Sequence, residues 1–169
     1  EFRGFSTITA TRAADGRTTT TTYHQDDAKA GLPSQTEVRN KPSVVGELGT
    51  LVLRTSTTYT PDTSPPYISL PIATRREEFG ASGSRISKTS FDFDGYGNLT
   101  SQTESGAVDS GDGDLVPGDT RTTTISYAAP NDAIYLADRP ASIKLCTGSI
   151  PCTTTNVRQT QLYYDGSDT

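Results

Sequence analysis

One stretch decides the fold: Phe91-Asp92-Phe93-Asp94-Gly95-Tyr96-Gly97-Asn98-Leu99-Thr100-Ser101-Gln102-Thr103. Its first four residues alternate aromatic and acidic side chains, which is the period-two pattern of a strand with one buried face. Asp94-Gly95 and Gly97-Asn98 tolerate positive φ and favour a chain reversal. The run from Leu99 to Thr103 is β-prone again. The stretch therefore predicts a β-hairpin.

The aromatic residue before this turn returns at a nearly constant spacing. Intervals of 36, 34, 34 and 37 positions separate five such residues, namely Tyr23, Tyr59, Phe93, Tyr127 and Tyr164. Each follows a polar, β-prone run, and four precede a second run that usually opens with an apolar residue or proline. A fixed period of this length is the signature of a repeat array, so we predict an all-β protein of antiparallel hairpins about 35 residues apart. The hairpins would pair edge to edge into a continuous curved sheet, with the five aromatic residues anchoring its core.

The whole chain, residues 1–169, is predicted to be one segment of about four hairpins plus the start of a fifth, with no separate second domain. Its hydrophobic content of 31%, without Trp or Met, is low for a compact globule, and disorder is the alternative. The many threonines and the regular Tyr and Phe positions favour a sheet with one solvated face. We expect Leu51–Leu53 to lie in the core and residues 77–84 to form a connector.

Charge and hydropathy exclude several classes of partner. The net charge is −5, and no stripe of Lys and Arg interleaves with aromatic residues, which argues against nucleic acid. No apolar run approaches the roughly 18–20 residues that a membrane-spanning helix needs. The sequence starts at Glu1 within the repeat pattern and carries no signal peptide, so we expect it to be a piece of a longer protein.

Several motifs resemble one family of repeat proteins. Residues 93–100 are similar to the core of an RHS, or YD, repeat, in which an aromatic residue and aspartate precede a short turn, Gly-Asn or Gly-Arg, leucine and a strand. Tyr164-Asp165-Gly166 resembles the opening of another repeat. Residues 1–5, followed by Tyr23–Asp26 and Gly31–Pro33, resemble the stretch where SpvB-like and TcB-like toxin-complex proteins enter their RHS region.

This resemblance implies a structural function in a secreted or cell-surface bacterial protein. The chain would be part of an RHS/YD shell that encloses a C-terminal toxic polypeptide and helps to deliver it. Its partners would be the rest of the shell, the enclosed toxin and a translocation-pore component, with no cofactor. The self-cleaving aspartate motif of the family has no match in this chain, so no catalytic residue carries over. The alternative is an extracellular adhesin or carbohydrate-binding module that uses threonine hydroxyls and exposed rings of Tyr59, Tyr67, Tyr127 and Tyr135.

The sequence offers little for enzymatic chemistry. His24 is the only histidine, so a Ser-His-Asp arrangement would have one possible base. It could pair with Asp26 or Asp27, although a solvated turn histidine is the simpler interpretation. A glycosidase needs two carboxylates across a cleft, whereas Asp92 and Asp94 are predicted to lie on one face of one strand, its solvent side. We therefore predict that the chain is not an enzyme.

A glycine-hinged acidic loop is a weak candidate for calcium, since calcium prefers oxygen ligands. Its carboxylates belong to Asp109, Asp112, Asp114 and Asp119. Their spacing departs from the EF-hand order, and no glutamate closes the loop. A solvated acidic loop without metal is therefore the preferred interpretation.

The two cysteines, Cys146 and Cys152, are separated by five residues. This spacing suits a disulfide that closes a loop between antiparallel strands, in a protein exported to an oxidising compartment. It does not suit zinc, which takes about four ligands at tighter spacings. The alternative is a pair of free thiols in a cytosolic precursor.

Overall fold

The computed structural model describes residues 4–60, 68–116, 118–130, 137–148 and 156–164. Tyr67, Tyr135 and Cys152, which were singled out above, lie outside these residues. The described ranges contain no helix, so the all-β prediction is confirmed, and none of their elements is a helix able to cross a membrane. The strands of the described ranges are β1 (Thr7–Thr11), β2 (Thr18–Tyr23), β3 (Pro33–Arg39), β4 (Leu51–Tyr59), β5 (Pro71–Gly80), β6 (Gly83–Phe93), β7 (Leu99–Val108), β8 (Arg121–Tyr127), β9 (Pro140–Thr147) and β10 (Val157–Gln161).

The strands lie in the sheet in the order of the chain, from β1 to β10. Neighbours run antiparallel, as the registers of β1–β2, β2–β3, β3–β4, β4–β5, β7–β8, β8–β9 and β9–β10 show. Antiparallel neighbours can be joined directly by hairpin connections. The predicted array of consecutive hairpins is therefore confirmed. Within the described ranges, β1 and β10 stand at the two ends of the order.

The chain divides into two compact units, residues 1–88 and residues 89–169, which we describe one at a time. Unit 1 contains β1 to β5 and the first part of β6. Unit 2 contains the last part of β6 and β7 to β10. The expectation of a single segment without a separate second domain stays a prediction.

Four connections, which we call the aromatic loops, follow the repeating aromatic residues, and their described residues are 24–32, 60 and 68–70, 94–98, and 128–130 and 137–139. In each, the residue after the aromatic donates its backbone N–H to the carbonyl of the residue just before the next strand. The pairs are His24 to Leu32 (2.9 Å), Thr60 to Leu70 (2.9 Å), Asp94 to Asn98 (3.0 Å) and Ala128 to Arg139 (2.8 Å). Loops of unequal length thus close in the same way, and the repeat resides in the strand ends.

Proline opens three of the strands that follow these loops. Register shifts at the ends of β2, β4 and β8 set an aromatic residue opposite that proline: Tyr23 opposite Pro33, Tyr59 opposite Pro71 and Tyr127 opposite Pro140. Proline is tolerated at the first residue of a strand because it has no N–H to give to the ladder. In these three repeats the tyrosine therefore marks where one strand ends and the proline marks where the next begins.

Few side chains are buried in either unit. Among the described residues the buried apolar side chains are Val108, 2% exposed, and Cys146, 1% exposed, both in unit 2. The expectation that Leu51–Leu53 lies in the core is wrong, because these residues are only half-buried. Leu53 has Val38 and Glu78 as its neighbours across the sheet, and these lie beside it in the same layer.

The expected connector over residues 77–84 is also wrong in extent. β5 continues to Gly80 and β6 begins at Gly83, so only two residues form the turn. The charged residues that suggested a connector are accommodated in the strand, since Glu77 pairs with Arg54 on β4. Gly83 has a φ of +126°, a conformation that side-chain-bearing residues rarely adopt, and this permits the tight reversal.

Candidate functional site: tyrosine clasps and a charged row

Two tyrosine hydroxyls join a hairpin to the one before it. Tyr59 Oη donates a hydrogen bond to the carbonyl of Pro33 (3.1 Å), and Tyr127 Oη donates one to the carbonyl of Leu99 (2.9 Å). Pro33 opens β3 and Leu99 opens β7, so both acceptors occupy the same repeat position. We call these two bonds the tyrosine clasps. Phe93, the third repeat's aromatic residue, has no hydroxyl to donate.

The environment of each clasp keeps the phenol protonated. Burial raises the pKa of Tyr59. Burial also raises the pKa of Tyr127, and the nearby carboxylates of Asp94 and Asp138 raise it further. A phenol with a raised pKa remains a hydrogen-bond donor throughout the physiological range. The clasps are therefore neutral bonds that do not titrate near pH 7.

Successive aromatic loops also contact each other within each unit. In unit 1, Ser69 Oγ donates to the carbonyl of Ala28 (2.8 Å). In unit 2, Asn98 Nδ2 donates to the carbonyl of Ala137 (2.8 Å). Each unit therefore holds one hairpin junction with two side-chain-to-backbone bonds, one from a tyrosine clasp and one between loops.

Asp94 organises the turn between β6 and β7. Its Oδ1 accepts the backbone N–H groups of Tyr96 and Asn98 (both 2.9 Å), and its Oδ2 accepts Asn98 Nδ2 (3.0 Å). The side-chain bond from Asn98 is the largest cause that lowers the pKa of the Asp94 carboxyl. Backbone N–H groups lower it further, and burial opposes them. The Asp and Asn of the repeat motif are therefore the two halves of one hydrogen-bonded turn.

His24 lies in the first aromatic loop and packs edge-on against Tyr59, with ring centroids 5.6 Å apart and planes at 83°. Its Nδ1 is 3.6 Å from Asp26 Oδ2, which is longer than a hydrogen bond. Asp26 instead binds Lys29, both at its backbone N–H and at Nζ (each 3.0 Å). The lysine hydrogen bond lowers the pKa of Asp26, with burial opposing it. Among the described residues, His24 has a packing contact with a clasp tyrosine and no hydrogen bond to a carboxylate that would orient it as a base.

A row of charged side chains crosses three strands of unit 1. Arg54 on β4 lies directly opposite Glu37 on β3 and Glu77 on β5. Its Nε is 3.1 Å from Glu37 Oε1, and its Nη1 is 3.5 Å from Glu77 Oε2. Its guanidinium also lies 5.5 Å from the ring centre of Phe79. We call Glu37, Arg54 and Glu77 the charged row.

Glu37 is the most heavily bonded member of the charged row. Besides Arg54, it accepts Arg39 Nη2 at Oε2 (2.9 Å) and Gln35 Nε2 at Oε1 (3.2 Å). Burial raises the pKa of Glu37, but the hydrogen bonds from Arg39 and Arg54 outweigh that effect and leave it below its ordinary value. Glu37 is therefore an anion held by two guanidinium groups at neutral pH.

The acidic loop uses its carboxylates to hold its own backbone. Asp109 Oδ1 accepts the N–H groups of Gly111 and Gly113 (both 2.8 Å). Asp114 accepts the N–H of Val116 (3.0 Å), and Asp119 accepts that of Ala107 (2.9 Å). Across the described ranges, no three acidic, histidine or cysteine side chains converge as metal ligands. Calcium binding by Asp109, Asp112, Asp114 and Asp119 stays an untested hypothesis.

Cys146 lies near the end of β9 in the most buried part of unit 2. It faces Thr122 on β8 and Val157 on β10, and Thr122 is itself buried. The Cys146 sulfur takes part in a disulfide. Because Cys152 lies outside the described residues, the pairing of Cys146 with Cys152 stays a prediction.

The sequence identified the aromatic positions but not their partners. All five aromatic residues are half-buried, and four of them end a strand, whereas Tyr164 follows β10. The acceptors of the clasps are backbone carbonyls, which every residue carries, so no sequence signal marks them. The charged row had a readable signal that was missed, since Glu37, Arg54 and Glu77 are charged residues inside β-prone runs.

A comparison with protein-family models finds no match to this chain. None of the curated proteins is significantly similar to it in sequence. The resemblance to RHS/YD repeats therefore rests on the motif residues themselves, above all residues 93–100. The hydrogen bonds of Asp94 and Asn98 give two of these motif residues a physical role in the turn.

Proposed function

We propose that this chain is a wall segment of a bacterial RHS/YD-repeat shell, which encloses a C-terminal toxic polypeptide and helps to deliver it. The observation that carries the proposal is the repeated hairpin junction. A backbone bond closes each aromatic loop, and tyrosine clasps tie Tyr59 to Pro33 and Tyr127 to Leu99. A junction that is repeated along the chain suits a wall that grows by adding hairpins.

The burial pattern supports the same proposal. Unit 1 contains no buried apolar side chain among its described residues. Its strands are held by backbone ladders, threonine pairs such as Thr21 with Thr36 (Oγ1 to Oγ1, 3.3 Å), and the charged row. Polar and charged side chains of this kind suit a wall whose surfaces are exposed to solvent. The shell's contribution would be steric containment, with no bond made or broken by this segment.

Protease protection in the full reading frame tests the proposal. The protein encoded by the whole frame that contains this chain is treated with a nonspecific protease, natively and after denaturation. If the shell encloses a C-terminal segment, that segment survives in the native protein and is digested after denaturation. Equal digestion of the segment in both states would overturn the proposal.

A matched pair of variants assigns the protection to this segment. Tyr59→Phe together with Tyr127→Phe removes both clasp hydroxyls, and we expect faster digestion of the enclosed segment. Tyr163→Phe removes an exposed hydroxyl that donates to Gln161 Oε1, two residues away (2.9 Å), and serves as the control. The shell would lie elsewhere in the protein if the double variant protected the segment as fully as the control.

The alternative proposal is an extracellular adhesin or carbohydrate-binding module. It is favoured by the charged row, where Arg54 pairs with Glu37 and Glu77 and lies 5.5 Å from the ring centre of Phe79, since polar groups next to an aromatic face are suited to sugars. A glycan array probed with the 169-residue chain tests it. Reproducible binding that is lost in Arg54→Met would support the alternative, and absence of binding to every glycan would remove it.

A further inference from the structure

The connection between β3 and β4 carries three exposed aliphatic side chains, which we call the apolar tip. Val44, Val45 and Leu48 are 54%, 100% and 81% exposed. The backbone N–H of Glu47 donates to the carbonyl of Val44 (3.3 Å), which closes a turn with Val45 and Gly46 at its corners. Gly46 has a φ of +91°, a conformation that favours glycine at this position of a turn. The turn therefore holds Val45 fully in solvent.

The base of this connection is closed. Asn40 donates its backbone N–H to the carbonyl of Thr50 (2.9 Å), and Arg39 Nη1 donates to the carbonyl of Gly49 (3.2 Å). Gly49 is buried, and a Cβ there would overlap the carbonyl of Asn40. The strands on either side are each paired twice, β3 with β2 and β4, and β4 with β3 and β5. The apolar tip therefore projects from within the strand order, on a fixed base.

Cations lie beside the apolar tip, on its own base and on the neighbouring turn between β1 and β2. The side chain of Lys41 lies against Gly16, where a Cβ would be 3.0 Å from its carbon atoms. Lys41 is exposed and has no ion pair within the part of the chain that the structure describes. Arg12 and Arg17, whose side chains are 64% and 51% exposed, share the carboxylate of Asp15. Three cations and one anion thus accompany the tip.

Aliphatic side chains next to cations are suited to the surface of an anionic membrane. Apolar side chains enter the boundary between headgroups and acyl chains, and each nearby Lys or Arg is attracted to anionic lipid. Protein-binding hot spots, in contrast, are enriched in Trp, Tyr and Arg, whereas Leu and Val are under-represented. We propose that this connection binds peripherally to a bilayer that contains anionic phospholipids, with Val44, Val45 and Leu48 inserted and Lys41 at the headgroups.

The expected binding is weak and reversible. Three aliphatic side chains offer a small apolar surface, and the carboxylate of Glu47 within the tip opposes the attraction to anionic lipid. We expect half of the protein to be bound at about 1 mM accessible lipid. The proposal does not depend on the shell function.

Sedimentation with vesicles tests the charge requirement. The 169-residue chain is mixed with vesicles of phosphatidylcholine alone or of equal parts phosphatidylcholine and phosphatidylglycerol, and we expect binding to the second kind. Lys41→Gln should lower the partition coefficient about fivefold, and Glu47→Gln should raise it by a similar factor. Arg76→Gln, at an exposed arginine on β5, is the control and should leave it within about twofold of the wild type.

The apolar requirement has its own pair of variants. Val45→Ser removes the outermost aliphatic side chain and should lower the partition coefficient about tenfold. Ile68→Ser is the matched control, because Ile68 is 61% exposed in the loop between β4 and β5, at the other end of β4. It should bind the vesicles like the wild type.

Tryptophan fluorescence distinguishes insertion from adsorption at the surface. The chain contains no tryptophan, so Val45→Trp supplies a single probe whose emission moves to shorter wavelength when the ring leaves water. We expect this shift with the anionic vesicles. Ile68→Trp places the same probe in the loop between β4 and β5 and should show no shift.

Four outcomes would overturn the proposal. The first is no binding to the anionic vesicles at about 10 mM lipid. The second is equal binding of Val45→Ser and Ile68→Ser, which would indicate adsorption by charge alone. The third is the same fluorescence response in both tryptophan variants. The fourth is a shift of Val45→Trp that grows with protein concentration without lipid, which would indicate a second copy of the chain as the occupant. Far-UV circular dichroism checks each variant's strand content, and Val44→Ser and Val44→Trp replace a Val45 variant that departs from the wild type.

Discussion

At the scale of single residues, one hydroxyl group joins a hairpin to its predecessor at Tyr59 and another does so at Tyr127. We expect Tyr59→Phe and Tyr127→Phe each to lower the free energy of unfolding by about 1 kcal/mol, the usual net value of one hydrogen bond. The ring and its packing are retained, so the loss reports the clasp alone. Urea denaturation followed by circular dichroism measures the change.

Tyr163→Phe is the control for these two variants. Tyr163 follows β10 and is 65% exposed, and its hydroxyl donates to the Gln161 side chain two residues away (2.9 Å). Water can replace this exposed bond, so its removal should change the free energy of unfolding by less than about 0.5 kcal/mol. Equal losses in all three variants would contradict the specific role of the clasps.

Asp94 supplies a pH-dependent contribution to stability. Its pKa is lowered in the folded protein, first by the hydrogen bond from the Asn98 side chain. A carboxyl whose folded pKa is depressed stabilises the fold above its unfolded pKa of about 4, and the contribution is lost as the pH falls through the folded pKa. We therefore expect the stability difference between wild type and Asp94→Asn to be full at pH 6 and to shrink below about pH 4.

Asp15, Asp26 and Glu37 also have lowered pKa values. Because both proteins contain these three residues, their contributions cancel in the stability difference between wild type and Asp94→Asn. Urea denaturation of both proteins from about pH 2 to pH 6 provides the measurement. Asn98→Ala should weaken the pH dependence, because it removes the largest cause of the shift. A difference that is the same at every pH would show that the Asp94 carboxylate does not stabilise the turn.

At the scale of the element, the charged row takes over a role that apolar residues usually have. Strand register is normally specified by a hydrophobic face, because a slip by one residue would expose it. The described part of unit 1 has no buried apolar side chain, and Glu37, Arg54 and Glu77 instead meet only in the observed register. A one-residue slip would separate their charges, so this row favours one pairing of β3, β4 and β5.

Arg54→Met tests the row. It leaves two carboxylates, both mostly shielded from solvent, without their shared cation. We expect a loss of about 1–2 kcal/mol, between the values for exposed and buried ion pairs. Because Coulomb interactions are screened, the loss should become smaller in about 1 M salt.

Arg76→Met is the matched control for Arg54→Met. Arg76 pairs with Glu78 at 2.8 Å, but both side chains are more than half exposed. An exposed pair is expected to contribute less than about 1 kcal/mol. Equal losses of unfolding free energy in the two variants would show that Arg54, between its two carboxylates, stabilises the protein no more than an exposed ion pair does.

The acidic loop provides a test by metal removal. Asp109, Asp114 and Asp119 already accept backbone N–H groups, and the described ranges hold no convergent set of metal ligands. We therefore expect the same Tm with excess chelator and with about 1 mM calcium, within the 1–2 °C precision of the scan. A calcium-dependent increase that Asp112→Asn abolishes would instead establish the calcium hypothesis.

Strands and their order could be predicted because the relevant signals are local. Alternation around Phe91, the turn residues from Asp94 to Asn98 and the recurring aromatic residues specify hairpins without reference to distant contacts. The length of β5 could not be read in this way, because Glu77 is stabilised in a strand by Arg54, which lies 23 positions away. The clasp acceptors were equally hidden, since a carbonyl such as that of Pro33 is common to all residues.

At the scale of the whole molecule, the unusual property is how little apolar surface the residues bury. Of the described side chains, only Val108 and Cys146 are both apolar and buried.

The heat-capacity change of unfolding rises with the apolar area exposed and falls with the polar area exposed. Average proteins give about 12–15 cal/mol/K per residue, or about 2.0–2.5 kcal/mol/K for a chain of this length. We expect differential scanning calorimetry to give less than about 1.5 kcal/mol/K. This quantity compares fully folded and fully unfolded baselines, so it holds whether the two compact units unfold together or separately. A value in the average range would mean that the chain buries apolar surface as ordinary globular proteins do, and would contradict a wall stabilised chiefly by hydrogen bonds and ion pairs.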